Sequence, residues 1–245
     1  MGGAEGRERA LVVGAASGIG AAAAARLVRD GWSVVGADRD LAGLERLDVA
    51  LAGRVRMDVT DAASVAAGVS ETTRTLGAID ALVNCAGTAG GGWRPFLETS
   101  PDQLDELHAV NLRGAFLLMQ AVLPGMIEAG YGRILHVASI AGKEGVPGMS
   151  TYSSTKAGLI GLVKSVGREI ATSGVTVNAL APAVIRTPLT DLMPEDQFEY
   201  LKSLIPMRRA ADLEEVAAAI RWMVSEEASF TTGFAYDLSG GRADY

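Results

Sequence analysis

Apolar residues along this chain fall into short runs separated by longer stretches of helical spacing. The runs are ALVVGA at 10–15, SVVGAD at 33–38, ALVNCAG at 81–87, RILHVAS at 133–139 and VTVNALAP at 175–182. Between and after them, apolar positions recur every three or four residues over 18–30, 40–47, 101–128, 151–172 and 212–226. Uninterrupted apolar runs read as strands buried on both faces, and the helical stretches read as the crossovers that parallel strands require. The alternation predicts an α/β fold with a doubly wound parallel sheet. No Pro/Gly/Ser-rich linker divides the chain, so a single domain is expected over 9–245, preceded by a flexible N-terminal stretch at 1–8. Pro182, Pro188, Pro194 and Pro206 break the helical pattern ahead of the last long helix. They predict a lid-like excursion at about 185–210, above the carboxyl ends of the strands where such sheets bind ligands.

Charge and composition then remove several classes of partner. A net charge of -7 and a pI near 5.0 offer no basic face for a phosphodiester backbone, so no nucleic acid is expected. The opening MGGAEGRER lacks the apolar stretch of a signal peptide, and Gly2 lacks the downstream Ser/Thr of a myristoylation site. No apolar run reaches the roughly 20 residues that cross a bilayer, so no membrane is expected. Cys85 is the one cysteine, which excludes an internal disulfide and fits a reducing cytoplasm. With His108 and His136 as the only histidines, the usual zinc ligand sets cannot be assembled, and no metal is expected.

The first candidate chemistry lies after the first run. Gly14-Ala15-Ala16-Ser17-Gly18-Ile19-Gly20 leads straight into an alanine-rich helical stretch. Glycines admit a close backbone approach, and a helix N-terminus presents unpaired N–H groups, so this Rossmann-like junction reads as a pyrophosphate cradle. Its spacing is GxxxGxG and not the more general GxGxxG, and a plain tight turn is the competing reading. Asp38 ends the next run, where a carboxylate can accept hydrogen bonds from adenosine ribose hydroxyls and repel a 2′-phosphate. Arg39 follows it and could receive that phosphate, but the balance favours NAD over NADP. The competing reading of Asp38 is a strand end or a cap for the helix starting at Asp40.

The second lies at the start of a later helical stretch, Tyr152-Ser153-Ser154-Thr155-Lys156. Tyr152 and Lys156 are one turn apart and share a face. A phenol is a poor base at neutral pH, but a nearby ammonium and a nicotinium ring would favour its anion. Ser139 closes the preceding run, placed to hydrogen-bond a substrate oxygen beside Tyr152.

Together these segments resemble, in order and over almost the whole chain, the short-chain dehydrogenase/reductase family in its compact single-domain type. The glycine loop matches at Gly14, Gly18 and Gly20, with Val13 in place of the usual threonine. Asp58-Val59 resembles the pair bordering the adenine ring, and Asn84-Cys85-Ala86-Gly87 the family's NNAG segment. Cys85 then reads as a packed small residue. Asn111, in VNLRGAF, matches the asparagine that completes a tetrad with Ser139, Tyr152 and Lys156. The resemblance implies that it holds a helix distortion and a water in a proton relay to Lys156. Pro182-Ala183-Val184-Ile185-Arg186-Thr187 resembles the PGxxxT segment that meets the nicotinamide carboxamide through Ile185 backbone and the Thr187 hydroxyl, with Ala183 replacing glycine.

The resemblance thus implies an NAD-dependent oxidoreductase interconverting a secondary alcohol and a ketone. SIAGKEGVPG, SEEASFTTG and SGGRADY are similar to members acting on sugars and 2-keto-3-deoxy-sugar acids. An acid substrate would need a cation, for which Arg94, Lys143 and Arg186 are candidates. The alternatives are an NADPH-dependent 3-oxoacyl-thioester reductase and, in another class, a non-catalytic NAD-binding scaffold or sensor. Family members commonly form dimers or tetramers, and the apolar stretches around 104–127 and 157–170 could supply the contact. The ending GGRADY could reach a neighbouring subunit's site.

Overall fold

The computed structural model describes residues 8–187 and 190–243. Of the sequence expectations, residues 1–7 of the N-terminal stretch, Pro188 and the final Asp244-Tyr245 lie outside the described residues.

In chain order, β1 (Arg9–Val13) leads to α1 (Gly18–Arg29), β2 (Ser33–Asp38) to α2 (Leu41–Glu45), and β3 (Gly53–Arg56) to α3 (Ala62–Leu76). After β4 (Ala81–Asn84) come α4 (Pro101–His108), a π-helical turn (Ala109–Arg113) and α5 (Gly114–Glu128). Then follow β5 (Gly132–Val137), α6 (Ala141–Glu144), α7 (Ser150–Glu169), β6 (Val175–Pro182), α8 (Glu195–Ser203), α9 (Leu213–Met223) and β7 (Ala235–Leu238). The seven strands pair in the order β3-β2-β1-β4-β5-β6-β7, and every pairing is parallel. The chain therefore builds outward from β1 to one edge, returns, and builds to the other, leaving a crevice above the ends of β1 and β4.

Alternation along the strands sorts the core into two layers. Leu11 and Val13 pack with Val65 of α3, Leu118 and Val122 of α5, and Leu159 and Val163 of α7. Ala10 and Val12 face the other way, onto Ala23, Ala24 and Leu27 of α1 and Val216 and Ile220 of α9. All six residues of β5 and all eight of β6 are buried, as strands covered on both faces require. A third cluster joins Ile140, Val146, Met149 and Val184 to Phe198, Leu201 and Ile205, fastening the 185–210 excursion over the strand ends.

Five expected strands are present; β3 and β7 are additional. Both are edge strands of four residues, and β3 buries only Val55 below a tenth of its surface, so neither shows an apolar run. The α3 helix was also not expected, because AASVAAGVSETTRTL carries a weak apolar stripe. The expected single helix at 101–128 is continuous but interrupted by the π turn. By length and composition alone it is apolar enough to cross a membrane, although charged residues such as Asp105, Glu106 and Arg113 keep it from being an uninterrupted apolar run. In this fold Leu107, Leu118, Met119, Val122 and Met126 of that run are buried in the domain.

Candidate active site

The glycine loop sits at the crevice. Gly14 has φ +76, and a Cβ there would lie 2.7 Å from the Ala86 nitrogen, on the loop leaving β4. A Cβ on Gly20 would collide with the Gly14 carbonyl. Only glycine lets α1 begin this close to β1 and β4. Ser17 occupies the N-cap position of α1 without capping it, so its hydroxyl and the first-turn N–H groups, among them those of Gly18 and Ile19, stay unpaired within the helix. This donor set fits a dinucleotide pyrophosphate.

Asp38 Oδ2 accepts from Ala16 N at 3.0 Å and Oδ1 from Asp40 N at 3.0 Å. The carboxylate thus ties the glycine loop to the end of β2 and keeps further lone pairs for ribose hydroxyls. Capping of α2 falls instead to Asp40, which accepts from Gly43 N at 2.9 Å. Arg39 is exposed beside it. Asp58 accepts from both the Thr60 N–H and its hydroxyl, which hold its carboxyl below the ordinary range, while Arg39 and Arg56 add to the lowering. Val59 is buried, and Gly114 packs against it.

Asn84 is spent inside the protein. Its Oδ1 accepts from Ala86 N at 3.1 Å and its Nδ2 reaches His136 Nδ1 at 3.0 Å. Through these bonds both polar atoms of its side chain shape the loop to Gly87. Cys85 is pushed up to about 12 by burial, which keeps it a thiol, in line with the packing role expected from sequence.

One cavity of about 600 Å³ gathers the rest: Ile19, Gly87, Ser139, Tyr152, Lys156, Pro182, Ile185 and Thr187 all line it. Ser139 arrives from the end of β5 onto the same cavity wall as Tyr152, and its Oγ accepts from Ala141 N at 3.1 Å. Lys156 is 4% exposed; its Nζ donates to the Val137 carbonyl at 2.8 Å and lies 5.7 Å from the Tyr152 ring centre. Burial lowers Lys156 to about 8. Burial also raises the Tyr152 phenol, and the Ser139 hydrogen bond draws part of that back. The protein's own groups therefore do not by themselves supply the lowered phenol expected from sequence, because desolvation outweighs the lowering by Ser139.

Asn111 lies in the π turn, 1% exposed, behind the cavity wall. Its side chain accepts from Thr88 N at 2.9 Å and donates to Thr88 O at 2.9 Å and Thr155 Oγ1 at 3.1 Å. A Cβ on Gly87 would lie 3.3 Å from Asn111 Oδ1 and 3.4 Å from Lys156 Nζ, so the two groups flank the same bare backbone. Ala183, where glycine was expected, is buried and donates to Leu238 O at 3.0 Å. Arg208 is the only non-glycine residue with positive φ among those described, so the chain turns here without left-handed geometry. Thr187 is held by Thr190, whose hydroxyl also donates to Ile185 O at 2.8 Å.

None of the three expected substrate cations lines the cavity. Arg94 is exposed. Lys143 is bound to both Asp237 oxygens, at 3.0 and 2.9 Å. Arg186 pairs with Asp191 and Glu195 and lies 4.1 Å over the Phe198 ring. Lining residues not singled out from sequence include Thr88, Trp93, Met149, Gln197 and Arg242. They come from loops and the lid, and only tertiary folding brings them together; the one local signal was Arg242, within the flagged GGRADY ending.

Comparison with known proteins agrees with this geometry. Residues 14–242 match the family model described as enoyl-(acyl carrier protein) reductase. The chain is 42% identical to a 2-dehydro-3-deoxy-L-rhamnonate dehydrogenase (NAD(+)) of a Sphingomonas species, covering 96% of this chain and 95% of that one. It is 35% identical to the acetoacetyl-CoA reductase of Allochromatium vinosum, covering 95% and 97%. The crystal structure of 3-ketoacyl-(acyl-carrier-protein) reductase from Brucella melitensis complexed with NADH matches with a TM-score of 0.89 at 33% identity, covering 96% and 98%. With likeness spread over nearly its whole length in both sequence and fold, the chain belongs to the short-chain dehydrogenase/reductase family of oxidoreductases.

Proposed function

We propose that the protein is an NAD-dependent dehydrogenase that interconverts a secondary alcohol and a ketone on a sugar acid or related polyol. The observation that carries this reading is the meeting of Ser139, Tyr152 and Lys156 on one cavity wall that also includes Ile19 of the glycine loop. Gly14, Ser17, Gly18, Ile19 and Gly20 would hold the pyrophosphate, Asp38 the adenosine ribose, and Asp58 and Val59 the adenine edge. Ala86 and Gly87 would pass beneath the nicotinamide side, with Pro182, Ile185 and Thr187 against its carboxamide. Asp38 favours NAD, since its carboxylate would repel a 2′-phosphate on the adenosine ribose. When bound there, the nicotinamide supplies hydride transfer to or from the substrate carbon.

Tyr152 then acts as the acid/base at the substrate oxygen, taking the hydroxyl proton in oxidation and returning it in reduction. Ser139 positions that oxygen. Lys156, near balance between its two protonation states at about pH 8, takes up or supplies the proton beside Tyr152. Asn111 holds Thr88 and Thr155 in place and keeps the wall behind Lys156 from closing. The buried thiol suits a reducing cytoplasm, and apolar surface left on the molecule suits a homo-oligomer.

A second reading, a 3-oxoacyl-thioester reductase, draws on the acyl-processing relatives and on apolar lining residues such as Val146, Met149 and Leu201. Following reduced nicotinamide absorbance with NAD or NADP against sugar acids, polyols and acetoacetyl-CoA separates the two. Turnover of a sugar acid with NAD supports the first. Turnover confined to NADPH and the thioester replaces it with the second, and tight NAD binding without turnover on any of them leaves a scaffold or sensor.

A further inference from the structure

Among the described residues, apart from Lys156, whose ammonium is engaged by the Val137 carbonyl, the charged residue lining the cavity is Arg242. It follows β7 in a turn closed by Arg242 N to Ser239 O at 3.2 Å and Ala243 N to Ser239 Oγ at 3.1 Å. Its side chain is only 6% exposed, and Nε and Nη2 lie 2.9 and 2.8 Å from a single oxygen of Glu144, Oε2. That one oxygen orients the guanidinium and occupies one side of its fork. Nη1 has no acceptor among the described residues. No aspartate or glutamate lines the cavity among those residues either, in a protein whose net charge is -7. A second donor points the same way: Trp93 lines the cavity, and its indole N–H is buried without a partner.

We infer that Arg242 selects the substrate by pairing its free edge with a carboxylate, so that the protein takes a short hydroxy- or keto-acid. This rests on the dehydrogenase reading above and narrows its substrate class. A planar fork suits a carboxylate better than a neutral carbonyl or hydroxyl. An acyl thioester carries no charge beside its reacting carbonyl and would leave buried donors unpaired, the kind of mismatch on which polar sites discriminate most strongly. Trp93 supplies a further donor that a hydroxylated acid can satisfy and a hydrocarbon tail cannot.

The test compares wild type, Arg242→Gln and Arg242→Lys in steady-state oxidation of 2-dehydro-3-deoxy-L-rhamnonate and of its methyl ester with NAD, alongside acetoacetyl-CoA with NADH and NADPH. NADH fluorescence titration reports whether each variant binds cofactor. Wild type is expected to prefer the acid, and Arg242→Gln to lose that preference by roughly 10- to 100-fold, the worth of a charge-assisted hydrogen bond, with the change falling on KM more than on kcat. Arg242→Lys should recover part of it. An Arg242→Gln variant that binds NADH normally and still prefers the acid overturns the assignment of Arg242 while leaving the dehydrogenase reading intact. If Arg242→Gln does not bind NADH, Arg242→Lys decides, since it can keep the ion pair with Glu144: an unaltered acid-to-ester ratio overturns the assignment and a reduced one supports it. Wild type that reduces acetoacetyl-CoA but oxidises neither acid nor ester overturns the function itself and the inference with it.

Discussion

Tyr152 is pushed up by its burial and pulled back by Ser139, so its usefulness as a base depends on charge brought to it by Lys156 and by a bound cofactor. Removing the phenolic oxygen therefore tests the chemistry without disturbing the fold. Tyr152→Phe should lower kcat by about 10²- to 10⁴-fold, the usual worth of a positioned acid/base, while the NADH dissociation constant stays near wild type; a variant with retained turnover would remove Tyr152 from its role. His136 makes a different statement about the same wall. It is fully buried, and Asn84 Nδ2, a donor, meets its Nδ1, which places the ring proton on an Nε2 that has no partner. Burial lowers it from 6.5 to about 3. Between those values the unfolded chain binds the proton and the folded one does not, so stability falls as pH drops from 6.5 towards 3. Relative to pH 7, this group alone should cost about 2 kcal/mol at pH 5. Urea denaturation at both pH values should show a smaller acid loss for His136→Asn than for wild type; an equal loss would place the acid sensitivity elsewhere. Of the residues at this site, Ser139, Tyr152 and Lys156 were legible because one strand end and one helical turn suffice to bring them together. His136, Thr155 and Trp93 were not, since their contacts cross 52, 44 and more residues or depend on the lid.

Strands buried on both faces announced themselves in the chain, and edge elements did not. β1, β2, β4, β5 and β6 carry continuous apolar runs, whereas β3 is GRVR and β7 is AYDL, each with one face towards solvent or a sheet edge. The π turn was visible only through likeness to a family, because nothing in AVNLR departs from helical patterning. At the opposite end of the sheet from the cavity, Arg9 and Asp80 clamp the starts of β1 and β4, with Nε to Oδ2 at 2.6 Å and Nη2 to Oδ1 at 2.8 Å. Asp80 is nearly buried, but the Arg9 side chain is 32% exposed, so solvent offsets part of the pairing. Asp80→Asn should cost about 1–2 kcal/mol in urea denaturation and leave turnover near wild type, because the clamp is remote from the strand ends. A loss of activity without loss of stability would contradict that separation. In the 185–210 excursion Phe198 and Leu201 cluster with Met149 and Val184, and Tyr200 stands edge-on to Trp93 at 5.7 Å. A ligand beneath it should hold it down, so NAD should slow limited proteolysis within 185–210; equal cleavage with and without cofactor would argue against a lid.

Over the whole molecule, several large apolar side chains stay exposed, and two of the places where they do so bear on assembly. Phe230 is fully exposed, and Phe234 and Trp222 are partly so, with Phe234, Tyr236 and Trp222 stacked edge to face beside the β7 edge. On another side, Leu112, Phe116 and Leu162 line an apolar groove between α4, α5 and α7. If both patches serve as association surfaces, they would allow two different two-fold contacts, which together generate a tetramer. The groove lies on the outer side of the helices that carry Asn111, Tyr152 and Lys156, so a subunit packed there would steady the wall of the cavity. Light scattering of the 25.3 kDa chain at micromolar concentration should then give a mass two or four times that of the monomer. Replacing Phe116 with Asp should break one contact and Phe230 with Asp the other, each halving the mass of a tetramer. The groove variant should also weaken turnover and the β7 variant should not, because only the groove backs the cavity. A monomeric wild type with full activity would show that the chain closes its site alone and that both patches serve something else.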